Sequence, residues 1–257
     1  MRAVLAALVL LVGPLTNPRQ AAAAPARVVS LNLCTDQFLV LLAPQRIAAL
    51  SPLARDPALS VVATQASGLP WVRPDAEAVL ALAPDLVLAG PYGAQTTLAA
   101  LARRGLAIER TVMPQDFAAI RAETRRFARL LDAEAEGERM LDAMERTLVA
   151  IPPHPAIAVL PLEARGYTPA ADTLESAVIR AAGFINAGAG ARLGLEAIAS
   201  HPPALLITAT TPAFHSLATD LLRHRVLRDI PRRTWPPALL ACGGPWTAAA
   251  AALLAAP

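Results

Sequence analysis

The sequence contains no lysine; all 23 of its basic residues are arginine. That excludes a Schiff-base lysine, and it excludes a phosphate-binding loop of the G-x-x-x-x-G-K type. Aromatic residues make up only 4% of a chain that is 55% hydrophobic, so a core must be built mainly from Ala, Leu and Val. There is no C-x-x-C and no H-E-x-x-H, and the four histidines do not cluster, so a metal cage made by protein alone is not expected. His154, His201 and His224 read as surface residues. A G-x-S-x-G elbow is missing too, as is any defensible Ser-His-acid triad. Arginine blocks such as Arg125-Arg126 are interleaved with Glu and Asp, and the net charge is only +3, so no nucleic-acid-binding stripe is expected. After the first residues, no apolar run approaches the roughly 18 residues a membrane span needs.

What is present begins with Met1 to Ala24. Arg2, an apolar run from Ala3 to Val12 and the small residues Ala21–Ala24 form the parts of a secretory signal. The mature protein is therefore expected to be soluble and exported, in a compartment that permits disulfides. Only two cysteines, Cys34 and Cys242, are present. Three fates remain open for them: a bridge between two parts of the chain, two free thiols, or contact with a ligand or metal.

Strand and helix patterns alternate along the remaining chain. Arg27–Leu31 reads as a strand that runs through a polar loop into a helix carrying Phe38, Leu39, Leu41 and Leu42. Ile47–Ser51, Leu86–Ala89 and Ile108–Val112 read as further strands. Asp116 starts a helix with Phe117, Ile120, Phe127 and Leu131 on one face; Arg121, Arg125, Arg126 and Arg129 point to water. Asp132–Ile151 then reads as one long amphipathic helix, N-capped by Asp132 and stopped by Pro152, Pro153 and Pro155. Beyond it come a strand at Ala156–Leu160 and a helix opened by Asp172 and Glu175 at capping-box spacing. A helix over Leu217–Arg225 and a strand around Leu239–Leu240 complete the pattern.

A repeat flanks the long helix. Glu77-Ala-Val-Leu-Ala-Leu-Ala-Pro84-Asp-Leu-Val-Leu aligns with Glu196-Ala-Ile-Ala-Ser-His-Pro-Pro203-Ala-Leu-Leu-Ile. Each copy is a short helix, a proline and a buried strand. The expected fold is α/β: two parallel-sheet lobes joined by one long helix, with strand-end loops facing a common cleft. The expected boundaries are a leader at 1–24, a first lobe at 25–131, a linking helix at 132–151 and a second lobe at 152–257.

The leader, the R-V-V-S-L strand, E-x-[VI]-x-x-x-x-P-x-L in each half, the single linking helix and Ala-Gly-Phe-Ile-Asn186 together resemble the periplasmic binding proteins for iron complexes and vitamin B12. The resemblance spans about Arg27 to the end. It implies the substrate-binding component of an ABC importer, with a siderophore, corrinoid or heme chelate held between lobes that move little. It implies no intrinsic cofactor, with metal arriving only inside its chelator. It also implies docking of Glu77 and Glu196 onto arginines of the membrane permease. Strand-end position nominates Asn32, Thr35, Arg55, Tyr92, Tyr167, Thr168, His215 and Trp246 as ligand contacts. A protein that presents both lobes to one partner is most simply a monomer. The competing reading is an exported α/β enzyme, hydrolase or chelatase-like, on a similar two-lobe plan; binding without turnover separates the two.

Overall fold

The computed structural model describes residues 24–210 and 217–256. The expected leader and His215 therefore lie outside the described residues. The first lobe runs β1 (Val28–Ser30), α1 (Leu33–Leu42), β2 (Ile47–Ala49), α2 (Ala63–Ala66), α3 (Ala76–Ala81), β3 (Leu86–Ala89), α4 (Gln95–Arg103), β4 (Ala107–Arg110) and α5 (Phe117–Leu130). Its four strands are parallel in the order β2-β1-β3-β4. The helices begin where side chains satisfy free backbone N–H groups. Asn32 accepts from the Cys34 N–H, Asp75 from the Ala78 N–H and Asp116 from the Ala119 N–H.

The linking helix α6 spans Glu134–Val149, shorter at both ends than the expected Asp132–Ile151. Asp132 is not its cap. It takes a left-handed conformation (φ 49°) in the turn between α5 and α6, and its carboxylate lies 3.4 Å from Arg46. Ala133 occupies the cap position. With 16 residues, the helix is about 24 Å long. Arg121 and Arg125 do not simply face water: each forms a two-pronged ion pair with α6, to Glu145 and Glu138 respectively.

The second lobe runs β5 (Ala158–Pro161), α7 (Leu174–Ala181), β6 (Ile185–Asn186), α8 (Leu195–Ser200), β7 (Leu206–Ala209), β8 (Arg232–Trp235) and α9 (Ala248–Ala255). Its parallel order β6-β5-β7-β8 repeats that of the first lobe strand for strand. In this equivalence β3 matches β7, and α3 and α8, which carry Glu77 and Glu196, precede them. Three local expectations fail here. The cap of α7 is Thr173, not Asp172, its hydroxyl accepting from the Ser176 N–H. Leu217–Arg225 is no helix, because its described turns are the 3-10 segments Asp220–Arg223 and Arg225–Leu227. The expected strand at Leu239–Leu240 is a turn; the fourth strand is Arg232–Trp235, bracketed by Pro231 and Pro236.

Both sheets are covered on both faces, which explains their continuous apolar runs. Val28 packs with Phe38, Leu39 and Phe127 on one face, while its neighbour Val29 packs with Val87, Leu98 and Leu101 on the other. In the second lobe Val159 and Leu160 divide in the same way. A separate cluster of Ile120, Leu141, Met144, Leu174 and Ala248 joins α5, α6, α7 and α9. The lobes thus share a packed apolar joint.

Candidate functional site

In a parallel sheet every strand ends on the same edge, and the loops beyond those ends are where α/β folds hold ligands. Here both sheets turn that edge toward one cleft. A cavity of about 170 Å³ is lined from the first lobe by Cys34 and by Val112 and Met113 beyond β4, and from the second by Glu175, Leu240 and Cys242. An adjoining cavity of about 430 Å³ shares Glu175 and Leu240 and adds Leu59, Glu163, Leu222 and Trp235. Its walls are mainly apolar, and Trp235, otherwise buried in the second-lobe core, touches it with part of its ring.

The floor of the cleft is covalent. Cys34 and Cys242 form a disulfide with their Cα atoms 5.2 Å apart, so of the three fates the bridge between lobes is the one adopted. Beside it, Gly243 meets the Pro114 ring so closely that an added Cβ would lie 3.0 Å from it.

The β4 loop in the cleft wall is held from behind by Glu123. This buried carboxylate accepts from the Thr111 hydroxyl (2.9 Å) and the Val112 N–H (3.1 Å), and pairs with Arg126 at 2.8 Å. Burial alone would raise its pKa, but hydrogen bonds from Arg126 and Val112 and the charge of Arg126 outweigh that and lower it. Arg126 is therefore turned to Glu123 and Glu109 rather than to open water. A carboxylate three residues before an arginine was the available sequence signal.

In the wall of the larger cavity, Glu163 has the opposite shift. Desolvation and then the charge of Glu175 raise its pKa. Asp36, buried in the first turn of α1, is raised to about 7 by burial, although hydrogen bonds with Ser30 and Ser51 oppose the shift.

The nominated ligand contacts divide sharply. Thr35 is fully buried and shares a 2.7 Å hydrogen bond with Ser30, so it holds the β1–α1 loop and cannot reach a ligand. Thr168 is buried as well, donating to the Ala191 carbonyl at 2.9 Å. Trp246 packs half-buried against the first-lobe core, tilted against Phe38 at 5.5 Å, and donates to the Cys242 carbonyl. Arg55 is spent on the Ala66 and Leu69 carbonyls and lies over Trp71. Asn32 is a helix cap packed against Gly90, where an added Cβ would fall 2.5 Å from its amide nitrogen. Tyr92 and Tyr167 are exposed beyond β3 and β5 but line neither cavity, and Arg192 lies over the Tyr167 ring. Glu163, Glu175 and Trp235 were missed. Glu175 reads as a capping residue, and Trp235 lies in a segment whose prolines disguise a strand.

Residues 28–231 match the model of a family described as periplasmic binding protein. The chain belongs to that family. No curated protein matches its sequence. Among solved structures, this binding protein is similar to the apo heme-binding protein RhuT from Roseiflexus sp. RS-1, at 23% identity and a TM-score of 0.67, over 89% of this chain and 97% of that one. It is similar to the heme-binding protein HutB of Vibrio cholerae at 17% identity and a TM-score of 0.71, over 88% and 95%. It is similar also to the vitamin B12 binding protein BtuF of Vibrio cholerae at 17% and 0.62, over 90% and 96%. These likenesses establish a shared two-lobe fold.

Proposed function

We propose that this protein is the soluble substrate-binding component of an ABC importer, which captures a metal chelate between its lobes and delivers it to the membrane permease. The observation that carries this reading is the cleft: two sheets of identical strand order direct their C-terminal edges at one apolar-walled cavity. Neighbours that bind heme and vitamin B12 support a chelate as the ligand class. The metal belongs to the cargo and needs no cage from the chain. The leader-like Met1–Ala24 and a disulfide suited to an oxidising compartment support export to the periplasm.

Glu77 and Glu196 dock the loaded protein. Each is exposed in the first turn of a short helix, one on each lobe, as two-point pairing with permease arginines requires. A monomer suffices, because one permease reads both lobes. Replacing both glutamates by alanine abolishes transport and leaves chelate affinity unchanged; undiminished transport refutes the docking role.

The binding role is tested by thermal-shift and tryptophan-fluorescence titration against ferric siderophores, cobalamin and heme. Trp235 lies in the cavity wall, so occupancy changes its emission. Saturable binding of one chelate at one-to-one stoichiometry, with a concentration-dependent rise in Tm, is the expected result. No response to any of them refutes the reading.

A further inference from the structure

We propose that the cleft selects chelates whose rim is cationic or rich in hydrogen-bond donors and disfavours anionic ones, with Glu163 and Glu175 as the selecting pair. The inference rests on the chelate-binding reading above and narrows its ligand class.

The chain as a whole is positive, at +3 with 23 arginines. The lining of its cleft has the opposite character. Among the described residues, Glu163 and Glu175 are the charged ones lining the two cavities, and no arginine lines either. Three arginines near the cleft loops are committed elsewhere, and the exposed Arg165, in the loop after β5, lines neither cavity. Arg55 donates to Ala66 and Leu69; Arg110 donates to the Gly90 carbonyl and to Gln95; Arg192 donates to the Arg165 carbonyl. Among the described residues neither Glu163 nor Glu175 has an ion-pair partner, and no side-chain hydrogen bond to either carboxylate is present.

Their surroundings sharpen the effect. Leu59, Leu222, Trp235 and Leu240 form the adjacent walls, and charges beside apolar surface interact more strongly than charges in open water. Glu175 lies in the first turn of α7, where negative charge is favoured by the helix dipole. Its charge helps to raise the pKa of Glu163, a penalty that a bound cation relieves. A carboxylate-bearing or catecholate rim would instead add a third negative charge to the same wall, and such repulsion is an effective means of rejecting ligands.

The test uses three ferric trihydroxamates that differ only in their tail: ferrioxamine B with its free ammonium, its N-acetyl derivative and its N-succinyl derivative. Titrations of the wild-type protein are expected to give affinities in that order, with each step worth about tenfold, as for a charge-assisted hydrogen bond gained or lost. In Glu163→Gln/Glu175→Gln the three affinities converge to within about twofold, while the neutral N-acetyl complex binds as before. Binding of the succinyl complex equal to or tighter than the ammonium one overturns the proposal, as does an unchanged series in the double variant. Heme binding saturably while all three ferrioxamines fail also overturns it, and leaves the binding-protein reading intact. Failure of these complexes together with heme and cobalamin refutes that underlying reading instead.

Discussion

Asp36 offers a perturbation whose size can be worked from its surroundings. Its carboxyl is fully buried in the first turn of α1, accepts the Ser51 N–H at 3.0 Å, and lies 2.5 Å from the Ser51 hydroxyl. It thereby ties the loop after β1 to the loop after β2. Burial raises its pKa from 3.8 to about 7. The folded state therefore keeps a proton that the unfolded chain releases. Its contribution to stability is complete below about pH 4 and is lost as pH rises through about 7. The span from 3.8 to about 7 at roughly 1.4 kcal/mol per pH unit amounts to on the order of 4 kcal/mol. Asp36→Asn removes the titration and keeps the contacts: its amide oxygen accepts the Ser51 N–H, and its NH2 donates to the Ser51 hydroxyl oxygen. Thermal melts across pH 4–8 are expected to superimpose at the acid end. At pH 8 the variant should melt about 10 °C above wild type, at roughly 2–4 °C per kcal/mol. Urea melts with matching m-values confirm that the native state is being compared. A Tm difference that is constant with pH, or an asparagine variant less stable at pH 8, refutes the reasoning.

Three further outcomes follow from the same packing. The Cys34–Cys242 bridge spans a sequence separation of 208, so Cys34→Ser/Cys242→Ser should cost about 5 kcal/mol by chain entropy; equal melting of oxidised and reduced wild type would refute this. Glu123→Gln weakens the contacts that hold Thr111 and Val112 and should cost about 2 kcal/mol at pH 7, a buried-pair loss reduced by the partial exposure of Arg126. Because the Glu123 pKa is lowered, that stability is present above the ordinary carboxylate range and is lost as pH falls through the lowered pKa, so the gap between variant and wild type closes in acid melts. Trp246→Ala removes a half-buried side chain packed against the first-lobe core and should lower stability by about 2 kcal/mol, less than a fully buried tryptophan, with chelate affinity unchanged; a specific loss of binding would return Trp246 to the ligand site.

Much of the fold was legible because its signals are local. Strand, cap and proline each act within a few residues, so α5 begins where Asp116 promises. The echo between Glu77 and Glu196 correctly marks equivalent helices, because a repeated lobe repeats its sequence pattern. β8 escaped notice because Pro231, Pro236 and two arginines obscure strand character in a segment that only pairing with β7 makes a strand.

The site was far less legible. Strand-end position alone cannot distinguish a side chain that faces the cleft from one that holds the loop behind it, and Thr35, Thr168 and Trp246 are of the second kind. The sequence by itself determined the α/β class, the two related halves, the helix between them and the scarcity of thiols. Only the tertiary structure decided that Cys34 meets Cys242, that Glu123 holds the cleft wall, and that two carboxylates rather than arginines line the cavity. Those outcomes depend on residues far apart in the chain being brought together by packing, and no local preference encodes which of them will meet.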